Sequence, residues 1–251
     1  MAKEMERERQ DPSRQRESGA GMLLPRPPGP GPIPVPHPGP LPPPPPPPPF
    51  QAASFTAELV SFQILNTRSR HEDTVRLSAT LALDDGTPQT QTKDMGDLNN
   101  GTFPVGLRFG PVRVSQPTTK FVFNYLIVNS GHDSWTTVNG VLTQVGQTLA
   151  KQAATSGATA VGTLIGTEFA PGIGTLLGAF AGWLVGELTG LLTADCDGAV
   201  AAEQVVKTGN ELWLATQHGA YAHTTYHPGT DSPAGCGSNS IYLATWSITR
   251  S

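Results

Sequence analysis

The chain has 251 residues, a formal net charge of −4 and 14% charged residues, and it lacks the basic footprint that nucleic-acid binding needs, so nucleic acid is excluded as a partner. Two cysteines permit one disulfide and say little about compartment. No Sec-type leader is visible, because the opening residues are charged and Met22-Leu23-Leu24 is too short for an apolar core.

Residues 1–24 alternate charge, with Lys3, Arg7, Arg9, Arg14 and Arg16 set against Glu4, Glu6, Glu8, Asp11 and Glu17. Almost nothing there can be buried, so the segment reads as a disordered charged tail. Residues 25–50 are dominated by proline and end in the unbroken run Pro42 to Pro49. That composition predicts a polyproline II linker of about 75 Å, able to space the folded part from something or to dock in an aromatic-lined groove of a protein partner.

Residues 51–136 read as the N-terminal part of an antiparallel β-sandwich. Val60, Phe62 and Ile64 alternate with Ser61 and Gln63, and Val75, Leu77, Ala79, Leu81 and Leu83 alternate with polar neighbours as in a half-buried strand. Asp84-Asp85-Gly86 predicts a turn, followed by an exposed partner strand over Gln89 to Lys93. Asn99-Asn100-Gly101 is a second turn signal. Val105, Leu107 and Phe109 alternate again, and Val112 to Ser115 resumes after a Gly-Pro break. Phe121, Phe123, Tyr125 and Ile127 face one way while Val122, Leu126 and Val128 face the other, the mark of a central strand.

Residues 137–194 break the pattern. A small residue returns every fourth position through Gly146, Ala150, Ala154, Ala158, Gly162, Gly166, Ala170, Gly174, Gly178, Gly182, Gly186, Gly190 and Ala194. Residues four apart share a helix face, so the small positions make a groove. Pro171 breaks the helix, and the stretch reads as a hairpin with arms from about Asn139 to Phe169 and from Gly174 to Thr193. Each helical glycine costs about 1 kcal/mol relative to alanine, and close approach of another helix would offset that cost. The assembly face expected from this pattern is Gly162, Gly166, Gly174, Gly178, Gly182, Gly186 and Gly190. Gly174 to Leu192 holds one charge, Glu187, and is long enough for a ~30 Å hydrocarbon layer. The first arm opens more polar, with Gln144, Gln147, Lys151 and Gln152. The texture resembles the small-xxx-small segments of membrane-inserting peptides and pore formers, which implies insertion or assembly at a membrane and carries no site residues across. The same stretch could instead pack inside a soluble domain, small residues against each other or against a sheet.

Residues 195–251 return to β and complete the sandwich. Glu211 to Thr216 and Ala220 to Tyr226 read as strands, Ile241 to Ile248 alternates, and 199–207 fits either a short helix or a strand. Cys196 follows the hairpin and Cys236 precedes the last strand, so a disulfide between them would pin the hairpin exit and contribute about 3–4 kcal/mol.

Reactive chemistry is sparse. His218, His223 and His227 with Asp231 form a local cluster, but the spacing matches no metal motif. Cys236 with His227 lacks an activating environment, and no nucleophile elbow or phosphate loop occurs. Asp84, Asp85, Asp94, Asp97 and Asp133 at strand ends could gather calcium, although aspartate also favours turns for its own hydrogen bonds. The expectation is therefore a non-enzymatic protein with no catalytic, cofactor or metal residues. Its expected partners are a lipid membrane and further copies of itself, and it would be membrane-associated or exported without a recognisable leader.

Overall fold

The computed structural model describes residues 29, 31, 48–69, 71–84, 86–156, 197–228 and 240–251. The chain divides into two units, Met1–Pro46 and Pro47–Ser251, and the account below concerns the second. Its described residues are mainly β, with two antiparallel four-stranded sheets and two helices. The strands are β1 (Ala53–Asn66), β2 (Asp73–Leu83), β3 (Gln89–Leu98), β4 (Gly101–Val114), β5 (Lys120–Asn129), β6 (Gly198–Thr208), β7 (Tyr221–Pro228) and β8 (Ile241–Arg250). The helices are α1 (Trp135–Ser156), between β5 and β6, and α2 (Gly209–Ala215), after β6.

One sheet has the order β4-β1-β8-β7 and the other β3-β2-β5-β6. Period-two alternation sends one face of each strand into a shared core. From the first sheet come Phe55, Leu59, Phe62, Phe109, Tyr242 and Trp246, and from the second Val75, Leu77, Phe121, Phe123 and Ile127. Rings meet between the sheets, with Phe109 and Phe123 centroids 6.3 Å apart and Phe123 and Trp246 6.2 Å apart. Each fully buried large apolar side chain contributes roughly 1.5–3 kcal/mol, so this core dominates the stability of the unit.

The alternation of β1 changes phase within the strand. A bulge between Leu59 and Ser61 shifts the register with both β4 and β8, so Leu59, not Val60, joins Phe62 and Ile64 in the core. β4 runs unbroken through Gly110-Pro111, whose peptide bond is cis. At Gly110, with φ +103°, a Cβ would lie 2.6 Å from the Phe55 carbonyl oxygen, so only glycine fits. The Asn99-Asn100 turn does not close a hairpin but passes the chain from β3 in one sheet to β4 in the other.

β5 is central, as its two apolar faces predicted. Val122, Leu126 and Val128 point away from the shared core and lie under α1, whose Val138, Leu142, Val145, Leu149 and Ala153 cover them. The same helix explains a departure from expectation at β2. Its outward residues Arg76, Ser78 and Thr80 are buried as well as its inward ones, although Arg76 less completely, because α1 lies over them. β6, ambiguous from sequence, is a strand with both faces buried, which removes the alternation that would have marked it.

Glu211 to Thr216, expected as a strand, belongs instead to a helix over Gly209–Ala215 and its C-cap Thr216. Thr208 caps it: Glu211 N–H donates to Thr208 Oγ1 at 3.3 Å, and Thr208 N–H donates to Glu211 Oε2 at 2.7 Å. This reciprocal capping box outweighs the β tendency of Leu212-Trp213-Leu214. The backbone hydrogen bond from Thr208 also holds the Glu211 carboxyl below its ordinary range.

Candidate functional site

The glycines Gly162, Gly166, Gly174, Gly178, Gly182, Gly186 and Gly190 lie outside the described residues, as do Cys196 and Cys236. Their mount is described. Asn129 and Gly198 face each other across β5 and β6, so residues 130–197 leave the sheet and return at one rung. The buried Asp197 carboxylate fastens that rung. Its Oδ1 accepts from Gly131 N–H at 2.9 Å and lies 3.3 Å from His132 Nδ1, while Oδ2 accepts from His132 N–H at 3.3 Å. Arg76 organises the way out, donating from Nη1 to the carbonyls of Ser130 at 2.9 Å and Asp133 at 2.7 Å.

From there α1 runs back along the full length of β5. Asn139 Oδ1 accepts from Thr92 at 2.5 Å near the start of the helix, and the Gly146 carbonyl accepts from Asn124 Nδ2 at 3.2 Å in the middle. Lys120 Nζ, at the opposite end of β5, donates to the Ala154 carbonyl at 2.6 Å. Ala154, bonded to Lys120, and Asp197, bonded to Gly131, therefore stand at opposite ends of β5. The helix comes close to the sheet at Gly146, where a Cβ would lie 2.3 Å from Thr80 Oγ1. Gly146, Ala150 and Ala154, the first three members of the four-residue series, are thus spent on packing against a sheet.

A second polar centre lies between the sheets, where β6 and β7 come near each other. Glu203 on β6 is 4% exposed, and its Oε2 accepts three hydrogen bonds: from Tyr125 Oη at 2.9 Å, Thr225 Oγ1 at 2.6 Å and Trp246 Nε1 at 2.9 Å. Charge-assisted bonds of this kind offset the cost of taking a carboxylate out of water. Tyr125 Oη also lies 2.7 Å from His227 Nε2. The tyrosine has one proton and gives it to Glu203, so His227 must donate from Nε2, which leaves Nδ1 deprotonated. That nitrogen is buried with no hydrogen-bond partner. Burial holds the His227 imidazole down to about 4, against a smaller opposing pull from Glu203. Burial, with Glu203 beside it, pushes the Tyr125 hydroxyl well above its ordinary value.

No family model matches the chain, and no curated protein aligns with it. The two centres are consequently read from their own chemistry. A parallel arrangement holds Asp73, fully buried, which accepts from the backbone of Arg68 and Ser69 at 2.8 Å each and from Tyr242 Oη at 2.7 Å. Burial, with Asp73 second, raises the Tyr242 hydroxyl, and burial lowers the Arg68 guanidinium despite the nearby carboxylates.

The expected histidine cluster separates. His218 and His223 are exposed, His223 beside the Trp246 ring at 6.0 Å, whereas His227 is buried; Asp231 lies outside the described residues. Among the described residues no group of three or more His, Cys, Asp or Glu could hold a metal ion. The strand-end aspartates serve turns and neighbours. Asp84 accepts from Lys120 N–H at 2.7 Å, Asp94 from Gly96 N–H at 3.0 Å and Asp97 from Thr74 Oγ1 at 2.6 Å, and Asp133 gives its carbonyl to Arg76. Asp85 lies outside the described residues. Among the described residues no helix is long and apolar enough to cross a membrane.

Sequence reasoning did not single out Glu203, Tyr125, Trp246 or Asp197. A signal for Glu203 existed: it is the one charge inside the apolar run Ala199 to Val206.

Proposed function

We propose that the protein is a non-enzymatic β-sandwich that carries a glycine-zipper helical hairpin, 137–194, for insertion into or assembly at a membrane. The observation that carries this reading is the mount. The chain segment holding Gly162 to Gly190 is tied at one end by α1 on the sheet and at the other by Asp197, so it can act without opening the core. Its glycines offer a face for close helix contact with a second copy in lipid. The lack of enzymatic chemistry is supported by the setting of Glu203 and His227, both under one-twentieth exposed and committed to each other's neighbours. The proline-rich linker spaces this body from its surroundings or docks with a protein partner.

A second reading has its own observation. Because Gly146, Ala150 and Ala154 pack on the sheet, the remaining small residues could continue that role in a soluble protein, within the core or at a homo-oligomer seam.

Flotation of the full-length protein with phosphatidylcholine–phosphatidylglycerol vesicles separates the two, run beside a Gly178→Leu, Gly182→Leu variant. Under the membrane reading the parent floats and resists carbonate extraction, while the variant binds but does not assemble. A parent that stays in solution, with a variant that unfolds, overturns it in favour of the soluble reading.

A further inference from the structure

We infer that β7 is the seam of a homodimer, in which the β7 strands of two copies pair antiparallel across a two-fold axis centred on Thr224. The pairing would join two β4-β1-β8-β7 sheets into one, and it does not depend on the membrane reading above. Two open sheets have four edge strands, here β4, β7, β3 and β6, and an edge strand offers a row of N–H and C=O groups to any other strand. Three of the four carry devices that discourage such pairing. β4 contains Pro104 and Pro111, which lack an N–H, together with Arg108 and Arg113, and its register with β1 is broken at two places. β3 carries Lys93, Asp94 and Asp97, and its register with β2 shifts between Val75 and Arg76. β6 holds Glu203 and Lys207, and its register with β5 shifts between Ile127 and Val128. β7 has none of these protections. Its sequence from Tyr221 to Pro228 contains no lysine, arginine, aspartate or glutamate, and its one proline is the last residue. It pairs with β8 without a register shift and, among the described residues, with no other strand. Ala222, His223, Thr224 and Tyr226 are exposed, and at 52% Tyr226 is the most exposed large apolar side chain among the described residues.

A second copy is the occupant this edge fits. Near a two-fold axis a side chain meets its own counterpart, so a charge on the seam would repel itself, and β7 carries none. Directly opposite residues share a sheet face, so the axis must pass where a residue pairs with its own copy. Centring on Thr224 sets Tyr221 opposite His227, Ala222 opposite Tyr226 and His223 opposite Thr225, and leaves Pro228, which has no N–H, outside the pair. The exposed Tyr226 ring of each copy then lies over the small Ala222 of the other. On the same outward face β8 sets Leu243, Thr245 and Ser247 beside Tyr226, Thr224 and Ala222, so that face also brings no charges together. Lys207 Nζ lies 5.9 Å from the Tyr221 ring centre. The pairing puts the two Tyr221 residues at opposite ends of the seam, about 20 Å apart and beyond the ~8 Å screening length of physiological salt. The seam is short beside the roughly 20–30 residues a side of a standard interface, so the association is weak and depends on concentration.

Sedimentation equilibrium of the full-length protein, without lipid and near neutral pH, tests the seam over about 1 to 500 μM. The parent should pass from monomer to dimer within that range. Thr224→Lys and Thr224→Glu each set two like charges face to face at the axis and should weaken dimerisation about tenfold. An equimolar mixture of the two variants opposes lysine to glutamate and should restore the dimer as a heterodimer. Thr224 is exposed, so both variants should keep the urea midpoint of the parent. Tyr226→Ser, which removes the ring from the pairing with Ala222, should also weaken the dimer and serves if a charged variant misfolds. A parent that stays monomeric throughout overturns the seam. So do Thr224 variants that associate as the parent does, since the contact then lies elsewhere in the chain, and so does a mixture that fails to recover association. None of these results alters the outcome of vesicle flotation, which tests the membrane reading separately.

Discussion

Acid should weaken this fold through one histidine. In the folded protein His227 stays neutral down to about pH 4, because its free nitrogen is buried with nothing to receive a proton's hydrogen bond. In the unfolded chain the same side chain titrates near 6.5. Above pH 6.5 both states are neutral and His227 has no effect on the pH dependence. Between 6.5 and about 4 the unfolded chain binds a proton that the folded chain does not, so stability falls as the pH falls. Below about 4 both states bind it and the loss levels off. The displacement from 6.5 to about 4, at 1.36 kcal/mol per pH unit, amounts to about 3 kcal/mol. The assay is urea denaturation at intervals from pH 7.5 to 3.5, comparing the parent with His227→Gln. Glutamine retains an N–H donor toward Tyr125 but cannot titrate, and the carboxylates common to both proteins cancel in the difference. The stability advantage of the parent should shrink by about 3 kcal/mol across that window. A difference that stays flat with pH would refute the buried, neutral assignment of His227.

Three further outcomes follow from contacts described above. Replacing Glu203 with Leu strands the donors of Tyr125, Thr225 and Trp246 between the sheets and should cost about 3–5 kcal/mol by urea denaturation, while Gln should cost less. At Gly209 a Cβ would meet the Gln116 carbonyl at 2.3 Å, so Gly209→Ala should lower stability by about 1–3 kcal/mol despite alanine's better helix propensity; a stabilised variant would contradict the close approach. Thr208→Ala removes the cap of α2 and should cost about 1 kcal/mol, with hydrogen exchange accelerated in residues 209–215.

The strands with regular alternation were legible. Val75 to Leu83, Phe121 to Val128 and Ile241 to Ile248 alternate cleanly, and each forms a strand. What failed to show was anything decided by a distant neighbour. Val60 reads as a core residue until the bulge at Leu59–Ser61 turns it outward, and the bulge answers to pairing with both β4 and β8. β2 looked half-exposed because its polar residues suggest water, yet Thr80 and Ser78 meet α1. The strand reading of 211–216 weighed three apolar residues and passed over Thr208-Gly209-Asn210-Glu211, a local signal that was present. Glu203 is different in kind. Its three donors come from β5, β7 and β8, and no window of adjacent residues contains them.

The position of β8 bears on how the chain can fold as it is made. β8 sits between β1 and β7 in the interior of its sheet, although its residues follow those of every other described strand. A ribosome adds residues at about 5–20 per second, so β1 waits many seconds with one long edge open before its inner neighbour exists. β4 can pair with β1 early and β2, β5 and β6 can assemble among themselves, but the sheet of β1 and β7 closes only once Ile241–Arg250 has emerged. During that interval Phe55, Leu59 and Phe62 lack Trp246 and Tyr242 to cover them. The first sheet therefore stays open until β8 is available, and its most aggregation-prone moment falls just before that strand arrives.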